Sequence, residues 1–121
     1  MNNYVLLYHF PDKKEDQEFR AYLEKEFPKN KVDQNDYFCY FGFAGRSLAE
    51  VEDKITDILN NFGIGIKEYV ALYYTKNDRP DLINRSMLLG KDELLETDLQ
   101  HISKDRHMTF VEDLLDAEYS K

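Results

Sequence analysis

The 121-residue chain lacks several features, and each absence excludes a class of protein. It has one cysteine, so it cannot form an intramolecular disulfide, and Cys39 lies in an apolar run where we expect it to be a small buried hydrophobe. No run approaches the roughly 18 apolar residues of a membrane-spanning helix. The N-terminus has no basic region before its apolar stretch and no small-residue cleavage site, so we expect no signal peptide. These absences predict a cytoplasmic protein.

Basic residues are also scarce. Lys and Arg number 16 against 24 Asp and Glu, for a net charge of −8. Because anionic phosphates would be repelled, we expect binding neither to nucleic acid nor to an anionic membrane. The imbalance is uneven: residues 1–91 carry 13 basic and 15 acidic side chains, whereas residues 92–121 carry 3 and 9. Most of the negative field therefore comes from the C-terminal quarter.

The composition predicts a folded chain. Hydrophobic residues make up 42% and aromatic residues 14% of the sequence, which excludes a disordered protein. The length fits one core, and there is no internal repeat, low-complexity tract or Gly/Ser linker. We therefore expect residues 1–121 to form a single domain.

Three runs are typical of strands, at residues 4–10, 37–44 and 69–75. Each is rich in the aromatic and branched side chains that favour a sheet. None alternates cleanly between apolar and polar residues, and this pattern is typical of strands that are covered on both faces.

Two amphipathic helices separate these strands. The first is predicted over residues 12–27, with Asp12 as its N-cap, and the second over residues 47–62, with Ser47 as its N-cap and Gly63 as its end. The resulting order is β-α-β-α-β. A short extra strand at residues 31–34 would make it β-α-β-β-α-β, the order of a ferredoxin-like α+β fold. Right-handed crossovers would place both helices on one face of the sheet and leave the other, aromatic face uncovered.

The composition changes after residues 78–81, which we interpret as a hinge between a sheet core at residues 1–78 and an acidic helical extension at residues 79–121. The first helix of the extension is predicted over residues 92–102, with an apolar stripe of Leu94, Leu95, Leu99 and Ile102.

A second helix of the extension is predicted around Val111, Leu114 and Leu115, capped by Thr109 with Glu112. Neither helix is stable alone, so each must dock on the sheet, on a second copy or on another partner.

The extension also holds the one cluster of histidines and carboxylates, formed by Asp98, His101, Asp105 and His107. Asp98 and His101 are three residues apart and would share a helix face, as two metal ligands could. No recognised ligand spacing is matched, however, so a solvated polar face is the favoured interpretation. We expect no metal and no cofactor.

His9 and Asp12 flank the end of the first strand, where an acid/base pair could lie. Asp12 already has a structural role as a helix cap, and no nucleophile or oxyanion loop accompanies the pair. The capping role is favoured, and no catalytic residue is assigned.

Two further patterns indicate other ligands. The interleaved aromatics of residues 37–43 are similar to the central strand of an RNA-recognition domain, but the run lacks the leading basic-glycine pair and the net charge is unfavourable. Arg46, directly before a helix cap, is a candidate for binding an anion, as are Lys76, Arg79 and Arg85 in and beside the connector. Packing of the aromatic side chains and solvation of the loop charges are the favoured interpretations.

The leading hypothesis is a non-enzymatic protein-binding or regulatory module, such as an inhibitor or immunity-like partner of a basic protein. The aromatic sheet face and the acidic extension would both engage the partner, and the extension would supply apolar anchors together with Glu112, Asp113 and Asp116 as partner-binding charges. Self-association as a homodimer is also predicted. The alternatives are a small metal-assisted or hydrolytic enzyme and a small-ligand regulatory domain.

Overall fold

The computed structural model describes residues 2–34, 37–62, 70–76, 83–89, 94–104, 106–117 and 119. Within these residues no helix is long and apolar enough to cross a membrane. The elements, in chain order, are β1 (Asn2–His9), α1 (Lys13–Glu26), β2 (Val32–Gln34), β3 (Cys39–Gly45), α2 (Leu48–Phe62), β4 (Val70–Lys76), β5 (Ile83–Leu89), α3 (Glu96–Ile102) and α4 (His107–Leu115).

The strands form one sheet in the order β2-β3-β1-β4-β5. Every neighbouring pair is antiparallel, and β1 lies at the centre, opposite Gly45 to Cys39 of β3 on one side and Thr75 to Val70 of β4 on the other. The predicted mixed α+β class is therefore confirmed.

The N-cap residues in the sequence predicted the starts of both long helices correctly. The Asp12 carboxylate accepts hydrogen bonds from the backbone N–H groups of Lys14 and Glu15, at 2.8 and 3.2 Å, and caps α1. The Ser47 hydroxyl oxygen accepts from the N–H of Glu50 at 3.2 Å, at the start of α2. The short strand expected at residues 31–34 is also present, as β2. The predicted helix end at Gly63 lies outside the described residues.

One face of the sheet, the α1–α2 face, packs against the first two helices. Its strand residues include Tyr4, Leu6, Tyr8, Phe41 and Phe43, all at most 3% exposed. The helices add Phe19, Leu23, Val51 and Ile55, each fully buried.

The opposite face, the α4 face, packs against the C-terminal helix. Val5, Leu7, Phe38 and Tyr40 are fully buried there, in one cluster with Val111, Leu114 and Leu115 of α4. Helix α4 therefore docks on its own sheet, and β1 and β3 are covered on both faces, as their lack of alternation predicted.

Two predictions for the secondary structure of the extension are wrong. It is not helical throughout, because Ile83–Leu89 forms β5 and pairs with β4 along its whole length. This strand is the last in the sheet order and has one neighbour. Thr109 does not cap α4, because the helix begins at His107, two residues earlier. That residues 1–121 form a single domain stays a prediction.

The C-terminal end of α4 is fixed to the sheet by two contacts. The Asn3 side-chain amide donates to the backbone oxygens of Leu115 and Ala117, each at 2.6 Å. Farther along, the Tyr119 hydroxyl donates to the Leu114 oxygen, and its ring lies over Gly42 of β3. A Cβ at Gly42 would lie 1.9 Å from the Tyr119 oxygen, so the glycine makes room for this ring.

We expect Gly42→Ala to destabilise the protein by about 2–3 kcal/mol, because the new methyl group displaces Tyr119 from its buried position. In a Tyr119→Ala background the same change should be neutral or stabilising by up to about 1 kcal/mol, since alanine lowers the entropy of the unfolded chain. Chemical denaturation of the four proteins in a double-mutant cycle measures the difference. An equal loss of stability from Gly42→Ala in both backgrounds would contradict the contact between Gly42 and Tyr119.

Candidate functional site

The predicted histidine and carboxylate residues converge only in part, around Tyr37. The Tyr37 ring lies between two imidazole rings, with centroids 3.7 Å from His9 at 9° and 3.9 Å from His101 at 4°. The His9 Nδ1 atom is also 2.9 Å from the Tyr37 backbone oxygen. This stack joins the end of β1 to α3, two elements that are far apart in the sequence.

Asp98 is fully buried beside this stack. It accepts a hydrogen bond from the Tyr37 hydroxyl through one oxygen, and through the other it accepts from the N–H of Leu95 at 2.9 Å. Burial and the adjacent carboxylate raise the pKa of Tyr37 well above its usual range, so the phenol stays protonated as a donor. The contacts define a structural link that holds α3 against the sheet.

The proposed acid/base pair of His9 and Asp12 does not form. Asp12 is engaged in capping α1, whereas His9 is stacked on Tyr37. The prediction that Asp12 acts as a cap is confirmed.

His107 is buried between α4 and the sheet, apart from the stack. It is 1% exposed, and its Nδ1 atom lies 2.8 Å from the Tyr40 hydroxyl. Burial lowers the pKa of His107 to about 4, and the positive charge of Arg85 contributes in the same direction. The ring is therefore neutral at neutral pH and belongs to the core.

The histidine and carboxylate cluster is thus divided between separate structural contacts. Asp98 and His101 belong to the Tyr37 link, His107 bonds to Tyr40, and Asp105 lies outside the described residues. Across the described part of the chain, no group of three His, Cys, Asp or Glu side chains could hold a metal ion. The interpretation of this cluster as a solvated polar face is also wrong, since Asp98 and His107 are buried.

Cys39 is 2% exposed on the α1–α2 face, and burial raises the pKa of its thiol to about 11. A protonated, inaccessible thiol is a poor nucleophile, so the prediction of a buried hydrophobe is confirmed.

The aromatic run that is similar to an RNA-binding strand packs into the core. Phe38 and Tyr40 lie under α4, while Phe41 and Phe43 lie under α1 and α2. These four rings are at most 3% exposed and cannot stack on bases.

The structure describes only some of the anion candidates. Arg46 is exposed before Ser47, and Arg85 is exposed on β5. Lys76 is the last residue of β4, and Arg79 lies outside the described residues.

The predicted partner-binding charges all lie at the surface of α4 or directly after it. Glu112 and Asp113 are exposed on the helix, and Asp116 is its exposed C-cap. Helical spacing places Met108, Glu112 and Asp116 in one exposed row, whereas Val111 and Leu114 are buried.

Asp113 and Asp116 also line an open cavity of about 670 Å³ between α4 and the edge strand β2, together with Lys31 and Asp33. This concentration of carboxylates beside an edge strand was not predicted. Asp33 is 80 residues from Asp113, and no local pattern indicates that they meet.

No protein-family model matches the chain, and neither a curated protein nor a solved structure matches it significantly.

Proposed function

We propose that this chain is a non-enzymatic protein-binding or regulatory module, and that α3 and α4 meet a basic partner protein in the manner of an inhibitor or immunity protein. One observation carries the proposal. The described large hydrophobic side chains that stay exposed are Leu95, Leu99 and Met108, at 54, 46 and 38%, and all three lie at or within α3 and α4. Exposed apolar side chains that form a contiguous patch are typical of interaction surfaces, and in this proposal the three side chains form one such patch.

The charges near these side chains indicate which kind of partner the surface binds. Met108 shares its row with Glu112 and Asp116, so an apolar anchor has carboxylates one and two turns away. Carboxylates around an anchor steer a basic partner toward it and disfavour an acidic one.

The enzyme alternative has less support in the described residues. A small catalytic site needs several polar groups that converge on a cavity, with at least one free to react. Asp12 and Asp98 instead serve as caps, His107 is bonded to Tyr40, and His9 is stacked on Tyr37.

The finer parts of the proposal concern fold, location and assembly. We propose a ferredoxin-like sheet domain, supported by the antiparallel order β2-β3-β1-β4 with α1 and α2 on one face, to which β5 adds an edge. A cytoplasmic location is likewise part of the proposal. Self-association through Leu95, Leu99 and Met108 is the second candidate for this surface, since these are the apolar side chains that α4 docking leaves exposed.

We expect the triple variant Glu112→Gln, Asp113→Asn, Asp116→Asn to bind a basic partner about tenfold more slowly at low salt and less than about twofold more slowly at 0.5 M salt. The fold should survive because these side chains are exposed and the packing residues are untouched. The measurement is capture of basic proteins from the native lysate by immobilised wild type, followed by association kinetics of the captured protein with each variant.

The matched control is Glu18→Gln, Glu24→Gln, Glu52→Gln, which removes three exposed charges from α1 and α2. If this control and the α4 variant behave alike, the tail charge serves solubility and the proposal fails. Sedimentation of the wild type shows whether the captured partner is a second copy of the chain.

A further inference from the structure

A groove runs between α1 and α2, on the side of the sheet opposite α4. Its volume is about 700 Å³, and it lies over the helices that cover the α1–α2 face. None of the residues singled out from the sequence lines it, so it is independent of the surface proposed above.

The floor of the groove is apolar. Tyr22 and Phe27 are partly buried and pack against the core, and Ile58 is 6% exposed. The Tyr22 ring also packs against Phe62, with centroids 5.7 Å apart. A ligand that enters the groove therefore meets hydrophobic surface that is already held in place by the core.

The rim of the groove is acidic. Glu26, Glu50, Asp53 and Asp57 are exposed along it, against one lysine, Lys54. The Lys54 ammonium lies 5.5 Å from the centroid of the Phe27 ring and 5.7 Å from that of Phe43, so its charge is directed over these aromatic faces. The rim therefore favours cationic groups on both sides of an apolar channel.

The length of the groove fits one kind of occupant. Its lining on α2 runs from Glu50 to Asn61, which is about 16 Å at 1.5 Å per residue, or three turns of a helix. A helix in a groove presents apolar side chains at i, i+3 or i+4 and i+7, and three turns accommodate this set.

We infer that the groove between α1 and α2 is a docking site for a cationic amphipathic helix of a partner protein. The apolar stripe of that helix enters between Tyr22, Phe27 and Ile58, and its Lys or Arg side chains reach the carboxylates on the rim. Charge complementarity selects this occupant over an acidic or neutral helix.

The test uses the full-length chain and a fluorescein-labelled peptide of about 14 residues, made of Leu and Lys, with the leucines in one helical stripe. We expect Asp53→Asn, Asp57→Asn to weaken binding about tenfold, measured by fluorescence anisotropy. The matched control is Glu18→Gln, Glu52→Gln, which removes two charges from the same helices outside the groove lining and should change the affinity less than about twofold. Thermal unfolding checks that both variants are folded.

Two further peptides test the chemistry of the occupant. A peptide with the same composition but no leucine stripe should bind about tenfold more weakly, and one with Glu in place of Lys should not bind. The inference is overturned if the wild type does not bind the striped peptide, if both double variants weaken binding equally, or if only the α4 triple variant weakens it. The last result would leave the proposed function standing and assign the peptide to α4.

Discussion

A chain that ends at residue 91 is expected to bind a hydrophobic dye strongly and to self-associate or unfold, because it lacks the cover of the α4 face. Four side chains of the sheet and its adjoining loop, Val5, Leu7, Phe38 and Tyr40, are fully buried in the cluster that α4 completes. Burial of each is worth about 1.5–3 kcal/mol, so the loss is comparable with the whole net stability of a small domain, about 5–15 kcal/mol. Dye fluorescence and sedimentation of the truncated protein measure the effect.

Point variants of the full-length chain provide the control. Leu114 is 1% exposed and Met108 is 38% exposed on the same helix. We expect Leu114→Ala to cost about 2–5 kcal/mol and Met108→Ala less than about 0.5 kcal/mol. A truncated chain that stays monomeric, soluble and no more able to bind dye would show that α4 is not the necessary cover.

The sequence predicted those parts of the fold that depend on neighbouring residues. Asp12 and Ser47 each cap a helix through N–H groups two or three residues away, and such spacing is visible in the sequence. The stripe of Val111, Leu114 and Leu115 was also identified correctly as a packing face, since helical periodicity is a local property.

Contacts between distant residues were not predictable. The sequence predicted a stripe of apolar residues in α3, but Leu95 and Leu99 are exposed and Asp98 is fully buried. The reason is Tyr37, which lies 61 positions earlier and donates its hydroxyl proton to that carboxylate. Burial of Asp98 thus depends on a partner that helical periodicity cannot reveal.

The candidate surfaces also combine features that neighbouring residues predict with features that depend on residues far apart in the sequence. The sequence identified Glu112, Asp113 and Asp116 as an acidic group on one helix, because they lie close together in the chain. It did not indicate that Asp33 lines the same cavity, nor that Tyr22 and Ile58 share a groove. Both features arise where elements from different parts of the chain pack side by side.

Acidification is expected to destabilise the protein through His107, whose neutral ring is buried between α4 and the sheet. The described groups around it include the Tyr40 hydroxyl, at 2.8 Å, the Phe38 ring and the positive charge of Arg85, and this charge disfavours an imidazolium. Burial lowers the pKa of His107 to about 4, from about 6.5 for a solvated histidine.

The sign of the effect follows from the proton balance. Above pH 6.5 His107 is neutral in both states, and its full contribution to stability is present. Between pH 6.5 and 4 the unfolded chain binds a proton at His107 and the folded chain does not, so the free energy of unfolding falls by about 1.4 kcal/mol per pH unit. Below pH 4 both states are protonated, and the accumulated loss stays constant at about 3 kcal/mol.

Comparison with His107→Gln separates this effect from the titration of the many carboxylates, which both proteins share. Glutamine does not titrate, and its side chain retains a polar group for the Tyr40 hydroxyl. Chemical denaturation of both proteins at several pH values between 7.5 and 4 gives the difference in unfolding free energy, wild type minus variant. We expect this difference to fall by about 3 kcal/mol across that range, and amide hydrogen exchange should show α4 opening earlier in the wild type at low pH. A difference that does not change with pH would mean that His107 is not buried as a neutral ring, and that the docking of α4 does not depend on its protonation.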